Sequence, residues 1–136
     1  MDLSNDDGDP LFIRAKIKVY NPDDYYSTKI IPVPRMKEYN IICSTGVPLL
    51  TLSVKHCVEL GLDEYDRRIE PDQYGCQLKK VFYRSAVVEF QGKPTPTEVI
   101  GYDYETYNRP LLGMNTMIAM KLYLDIPNHR IIQLDN

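Results

Sequence analysis

The chain has 136 residues, enough for one domain with a single core, and its 43% hydrophobic and 26% charged residues match a globular composition. A net charge of −3 argues against a basic nucleic-acid-binding face. No apolar run approaches the roughly 18 residues of a membrane span. The opening residues carry Asp2, Asp6, Asp7 and Asp9 without an apolar core, unlike a signal or transit peptide, so an intracellular, cytoplasmic or nuclear setting is expected. Three cysteines, an odd number, read as reduced thiols. Ten prolines and eleven tyrosines disfavour long helices and favour β-structure with many turns.

Residues 1–10 read as an acidic mobile tail, and residues 11–136 as one domain. Leu11, Ile13, Ala15, Ile17 and Val19 alternate with Phe12, Arg14, Lys16 and Lys18, the period of a strand with one buried face and a charged, edge-like other face. Asn21-Pro22-Asp23-Asp24 is turn chemistry. Lys29–Val33 reads as a short extended piece that Pro32 and Pro34 confine to an edge. Asn40–Cys43 predicts a short buried strand running into Ser44-Thr45-Gly46, and Leu49–Leu52 another. Ser53 is placed to cap a helix over Val54–Leu60 that Gly61 ends, with Val54, Cys57 and Val58 on its apolar face. Asp63–Pro71 is charged and without clear period, and reads as a solvated surface. Strands are expected over Cys76–Phe82, Tyr83–Phe90 and Lys93–Ile100, with Gln91-Gly92 closing a hairpin and Pro94 and Pro96 holding the returning arm to an edge or bulge. A Tyr-rich loop, Gly101–Arg109, precedes Pro110-Leu111-Leu112-Gly113, a helix near Thr116–Lys121, and a final hairpin turning at Pro127-Asn128-His129. Many short strands and one or two short helices predict a small, mainly β, closed-barrel domain.

The common chemistries find little support. Cys43, Cys57, Cys76, His56 and His129 lack the spacing of a zinc site, and adjacent His56 and Cys57 point about 100° apart on one helix, so no metal is expected. No motif pairs a cysteine with a histidine as nucleophile and base. The seven glycines are scattered singly, which excludes Walker A and dinucleotide loops, and no cofactor is expected. Tyr102, Tyr104 and Tyr107 alternate with Asp103 and Glu105, which would repel phosphate; rings packing back on the barrel are favoured over a protein-binding loop.

Three segments in this order are similar to retropepsin-like aspartic proteases. Asn40-Ile41-Ile42-Cys43-Ser44-Thr45-Gly46-Val47-Pro48 resembles the family's active-site strand and loop. Leu49–Ser53 leading into a helix ending Glu59-Leu60-Gly61-Leu62 resembles its continuation. Pro110-Leu111-Leu112-Gly113-Met114-Asn115 resembles its second hallmark, and Gln73-Tyr74-Gly75 falls where the flap tip would lie. The resemblance implies an aspartic protease fold and a homodimer meeting at Ser44, Thr45 and Gly46, with a groove for an extended peptide. It also exposes a departure, because Ser44 stands where the family has its catalytic aspartate. Two such aspartates sharing a proton act as base and acid. A serine hydroxyl is uncharged near neutral pH and too weak a base to activate water. No proteolysis is expected, so the reading is a pseudoprotease that self-associates, scaffolds or binds peptide. The alternative is an aspartic endopeptidase present as an inactive Asp-to-Ser variant at position 44.

Overall fold

The computed structural model describes residues 12–27, 29, 32–71, 74–103 and 109–134. Its elements run β1 (Arg14–Tyr20), α1 (Pro22–Tyr25), β2 (Met36–Cys43), β3 (Leu50–Ser53), α2 (Val54–Glu59), β4 (Glu64–Pro71), β5 (Gln77–Phe90), β6 (Lys93–Asp103), β7 (Leu111–Leu112), α3 (Met114–Ala119), β8 (Leu122–Asp125) and β9 (Arg130–Gln133). Alternation on β1 buries Ile13, Ala15, Ile17 and Val19 and turns Arg14, Lys16 and Lys18 outward. Burying each of the isoleucine and valine side chains contributes about 1.5–3 kcal/mol. The facing strands supply Ile41, Cys43, Leu50, Leu52, Val81, Val88, Phe90, Val99 and Leu112, so one continuous core fills the space the sheet encloses.

Seven strands lie in the order β1-β2-β7-β3-β6-β5-β4, and β1 also pairs with β5. That extra pairing joins Lys18, Val19 and Tyr20 to Glu89, Val88 and Val87 and closes six strands into a partial ring. Strand β5 is long enough for two roles. Its second half pairs with β1 and its first half with β4, from Glu64↔Tyr83 to Pro71↔Gln77, while β6 pairs with both halves. The register of β5 against β6 slips between Tyr83 and Ala86, where the roles change.

Several expectations are corrected. Asp63–Pro71, expected only as a charged stretch without clear period, is a strand over most of its length and is largely solvated; its residues gain order from β5 rather than from a buried face of their own. There are three short helices among the described residues, because Pro22–Tyr25 forms a single helical turn with Pro22 at its start. Ser53 does cap α2, its Oγ accepting from the His56 amide at 3.2 Å, and Gly61 takes φ +65° just beyond its end. Val58, however, is 66% exposed, while Cys57 is buried. In a helix of six residues only one position per turn reaches the core. Of the piece at Lys29–Val33, residues 29, 32 and 33 are described and lie in bends rather than a strand; the expected Tyr-rich loop begins later than Gly101, because β6 runs to Asp103, and its residues 104–108 lie outside the described residues.

Asn21 ties the segment between β1 and β2 to the body. Its amide donates to the Leu60 and Gly61 carbonyls at 2.9 and 3.1 Å, and its Oδ1 accepts from the Asp24 amide at 3.1 Å. Its own N–H donates to the Arg35 carbonyl at 3.0 Å. A buried polar side chain with all of these partners stabilises; without them it would cost folding energy. No helix among the described residues is long and apolar enough to cross a membrane.

Candidate functional site

Ser44, Thr45 and Gly46 form a turn at the end of β2, and its position is fixed by backbone rather than side-chain bonds. The Cys43 amide donates to the Ile13 carbonyl at 2.8 Å, and the Ser44 amide to the Leu112 carbonyl at 2.9 Å. Beyond the turn, the Met114 and Asn115 amides donate to the Val47 and Pro48 carbonyls at 2.9 and 2.7 Å. Gly113 makes this closure possible, because a Cβ there would overlap the backbone of Pro48 and Leu49. Thr116, 1% exposed, locks the far side: its Oγ1 accepts from the Leu50 amide at 3.0 Å and bonds the Thr97 hydroxyl at 2.8 Å. The loop from Ser44 to Leu49 is thereby clamped between β7 and the start of α3.

Within the turn, Ser44 Oγ accepts from the Gly46 amide at 3.1 Å. Thr45 and Gly46 are exposed. Among the described residues no carboxylate bonds to Ser44. The neighbouring Cys43 is buried and its thiol is pushed up to about 12 by desolvation, which keeps it protonated and inert.

The strand registers place a row of side chains on one face of the sheet beside this turn. Arg14 is opposite Ile42, Ile42 opposite Leu111, Leu111 opposite Thr51, Thr51 opposite Ile100, Ile100 opposite Phe82, and Phe82 opposite Asp66. Ile42 and Ile100 are buried at 7% and 6% exposure yet stand apart from the main core, on the sheet's other face. The middle of the row is an apolar wall, and its ends are an arginine and an aspartate. Sequence reading did not single out Thr51, Phe82 or Ile100, and took Ile42 and Leu111 only as members of the two segments that resemble the protease family. Their signal was available in the doubly apolar runs Ile41-Ile42-Cys43 and Val99-Ile100, which mark strands with both faces covered.

The β4–β5 hairpin supplies the last two members of this row, Phe82 and Asp66. Tyr74 and Gly75 stand between its strands at the far end, Tyr74 80% exposed and Gly75 at φ +79°; Gln73 lies outside the described residues. The hairpin's charges are matched locally, Arg67 with Glu64 at 2.7 Å, Arg68 with Asp66 at 3.1 Å and Lys80 with Glu70 at 2.9 Å. Arg68 also lies over the Phe82 ring, 5.0 Å from its centre. The hairpin therefore carries many charges and little net field.

The other residues weighed as metal ligands or nucleophiles are placed apart from this turn. Cys57 is buried in the core and pushed up to about 12 by burial, and Cys76 is exposed beside the hairpin end. His56 faces Tyr39, its Nδ1 2.9 Å from the phenol oxygen, and burial with nearby Lys37 holds its pKa below the ordinary value. No group of three His, Cys, Asp or Glu side chains among the described residues is arranged to hold a metal ion.

No protein-family model matches the chain, and no curated protein sequence does either. Among solved structures the chain is similar to EIAV protease complexed with the inhibitor HBY-793, at a TM-score of 0.51 and 13% identity, over 79% of this chain and 86% of that one. The small, mainly β fold of this chain is thus a retropepsin-like aspartic protease fold.

Proposed function

We propose that the chain is a retropepsin-like pseudoprotease domain that pairs with a second copy at Ser44, Thr45 and Gly46 and holds an extended peptide beneath the β4–β5 hairpin. The observation that supports this reading is the Ser44-Thr45-Gly46 turn held by its backbone against β7 and the start of α3, taken with the resemblance that puts Ser44 at the family's aspartate position. On this reading the turn keeps its backbone supports and carries a hydroxyl in place of an acid. Replacing two facing carboxylates by hydroxyls removes like-charge repulsion at a two-fold axis and also removes the shared proton on which hydrolysis depends.

Two features support pairing and peptide binding. The apolar wall from Ile42 to Phe82 is one side of a groove, and isologous pairing about the turn supplies the opposite side from the same residues. An extended peptide between the wall and the hairpin satisfies its backbone on strand edges and its side chains in apolar pockets. The test has two arms. The unmodified chain should sediment as a dimer at roughly 50 μM and leave a broad peptide library uncut. Ser44→Asp should then create pepstatin-sensitive cleavage, greatest at mildly acidic pH. A strictly monomeric chain, or cleavage by the unmodified chain, overturns the reading.

A further inference from the structure

We propose that Arg109 takes an acidic side chain of the peptide held in the groove, at the end of the row beside Ser44; this assignment rests on the peptide-binding reading above. Its place follows from register. Strands β1 and β2 are antiparallel with Arg14 opposite Ile42, so continuing the pairing by two residues sets Phe12 across from Ser44. The bond from the Cys43 amide to the Ile13 carbonyl, at 2.8 Å, keeps the two segments paired that far. Phe12 and Arg14 are two apart and share a face, the one that continues through Ile42. Arg109 reaches the same corner from the segment before β7. It stands two residues ahead of Leu111, the row's next member, and its guanidinium carbon lies 5.8 Å from the centre of the Phe12 ring.

The corner is cationic. Arg35, Arg67, Arg68, Arg84 and Arg130 each lie within 3.1 Å of a carboxylate oxygen. Arg109 is exposed, has no carboxylate at ion-pair distance among the described residues, and rests over a ring instead. The half-buried Arg14 adds a second positive charge. The row's one acid, Asp66, is at the opposite end and is paired with Arg68 at 3.1 Å. A ring holds a guanidinium in place without occupying its N–H fork as a carboxylate does, so the fork remains available for bidentate contact with one. The Ser44 turn does not oppose this. Carboxylates there would repel an acidic ligand side chain nearby, and a hydroxyl does not. Further along the row Leu111 and Phe82 are half-buried and apolar, so a glutamate followed by leucines at alternate positions matches the face.

The test is calorimetric titration of the full chain with the blocked peptide Glu-Ala-Leu-Ala-Leu-Ala, against Gln-Ala-Leu-Ala-Leu-Ala. Both should bind, the glutamate peptide about fivefold more tightly, the upper end for an exposed ion pair, with an advantage that shrinks as salt is added. Arg109→Gln should abolish the preference and leave the affinity for the glutamine peptide as in wild type, which also reports an intact groove. Arg109→Lys should restore part of the preference, since it keeps the charge and loses the fork. Arg84→Gln, at an arginine paired with Asp63, should keep all of it. Equal affinity of the unmodified chain for the two peptides overturns this assignment and leaves the groove standing, whereas binding of neither overturns both. Equal weakening of both peptides by Arg109→Gln would make the Phe12 contact a brace and overturn the selecting role.

Discussion

Asn21 and Ser44 both stand where a strand ends in a polar turn, and the fold uses them in opposite ways. Asn21 is 2% exposed and commits both ends of its amide to the Asp24 amide and the Leu60 and Gly61 carbonyls. Ser44 makes one short-range bond to Gly46, and the turn is held instead by backbone donors from Ser44, Met114 and Asn115. A turn clamped by its backbone leaves its side chains available, and that is the arrangement expected of a site rather than of a brace.

This contrast can be broken most forcefully at Gly113. A methyl group there meets the Pro48–Leu49 backbone, which cannot yield as a side chain can. Gly113→Ala should cost about 3 kcal/mol of stability, read as a lower urea midpoint. An effect no larger than that of Gly46→Ala, where only the Ser44 hydroxyl is near, would mean the clamp is looser than drawn. Next in size is Asn21→Ala, which strands buried carbonyls and should cost about 2 kcal/mol by the same measurement. Asn21→Asp should recover the Asp24 contact but not the two carbonyl contacts, and so fall below wild type. Smaller still, Ser44→Ala should change monomer stability by no more than about 0.5 kcal/mol, since its one bond is local and exposed.

How far this contrast was readable beforehand depended on which forces act locally. The Ser53 cap, Gly61, the Gln91-Gly92 turn and the alternation of β1 all express backbone geometry and one-sided burial, and each lies where the sequence pointed. Strand β4 was missed because Tyr65 and Ile69 are 43% and 67% exposed, so no face of it is buried enough to write a period. The site turn was legible as Ser-Thr-Gly, but its clamp was not. Thr116 reaches Leu50 across 66 residues and Asn21 reaches Leu60 across 39, and such pairings leave no local trace in a single chain. Val58 misled because a valine at helical spacing carries the same hydrophobic signal whether or not the helix is long enough to bury it.

The finest distinction between the two turns is their response to acid. Asp24, in the Asn21 turn, accepts from the Arg35 amide at 2.8 Å and from the guanidinium at 2.9 Å through both carboxylate oxygens. Those bonds lower its pKa from 3.8 to about 2. A carboxyl whose folded pKa lies below its unfolded value adds stability that is complete above the unfolded pKa and lost as pH falls through the folded one. The loss therefore spans pH 3.8 to about 2. In urea titrations from roughly pH 5 to pH 2, the wild-type midpoint should converge on that of Asp24→Asn as acid is added. Ser44 titrates nowhere in that window, so Ser44→Ala should track wild type in parallel at every pH. Parallel curves for Asp24→Asn as well would mean that its bonds to Arg35 do not persist in solution, and that the segment following β1 is held by Asn21 alone.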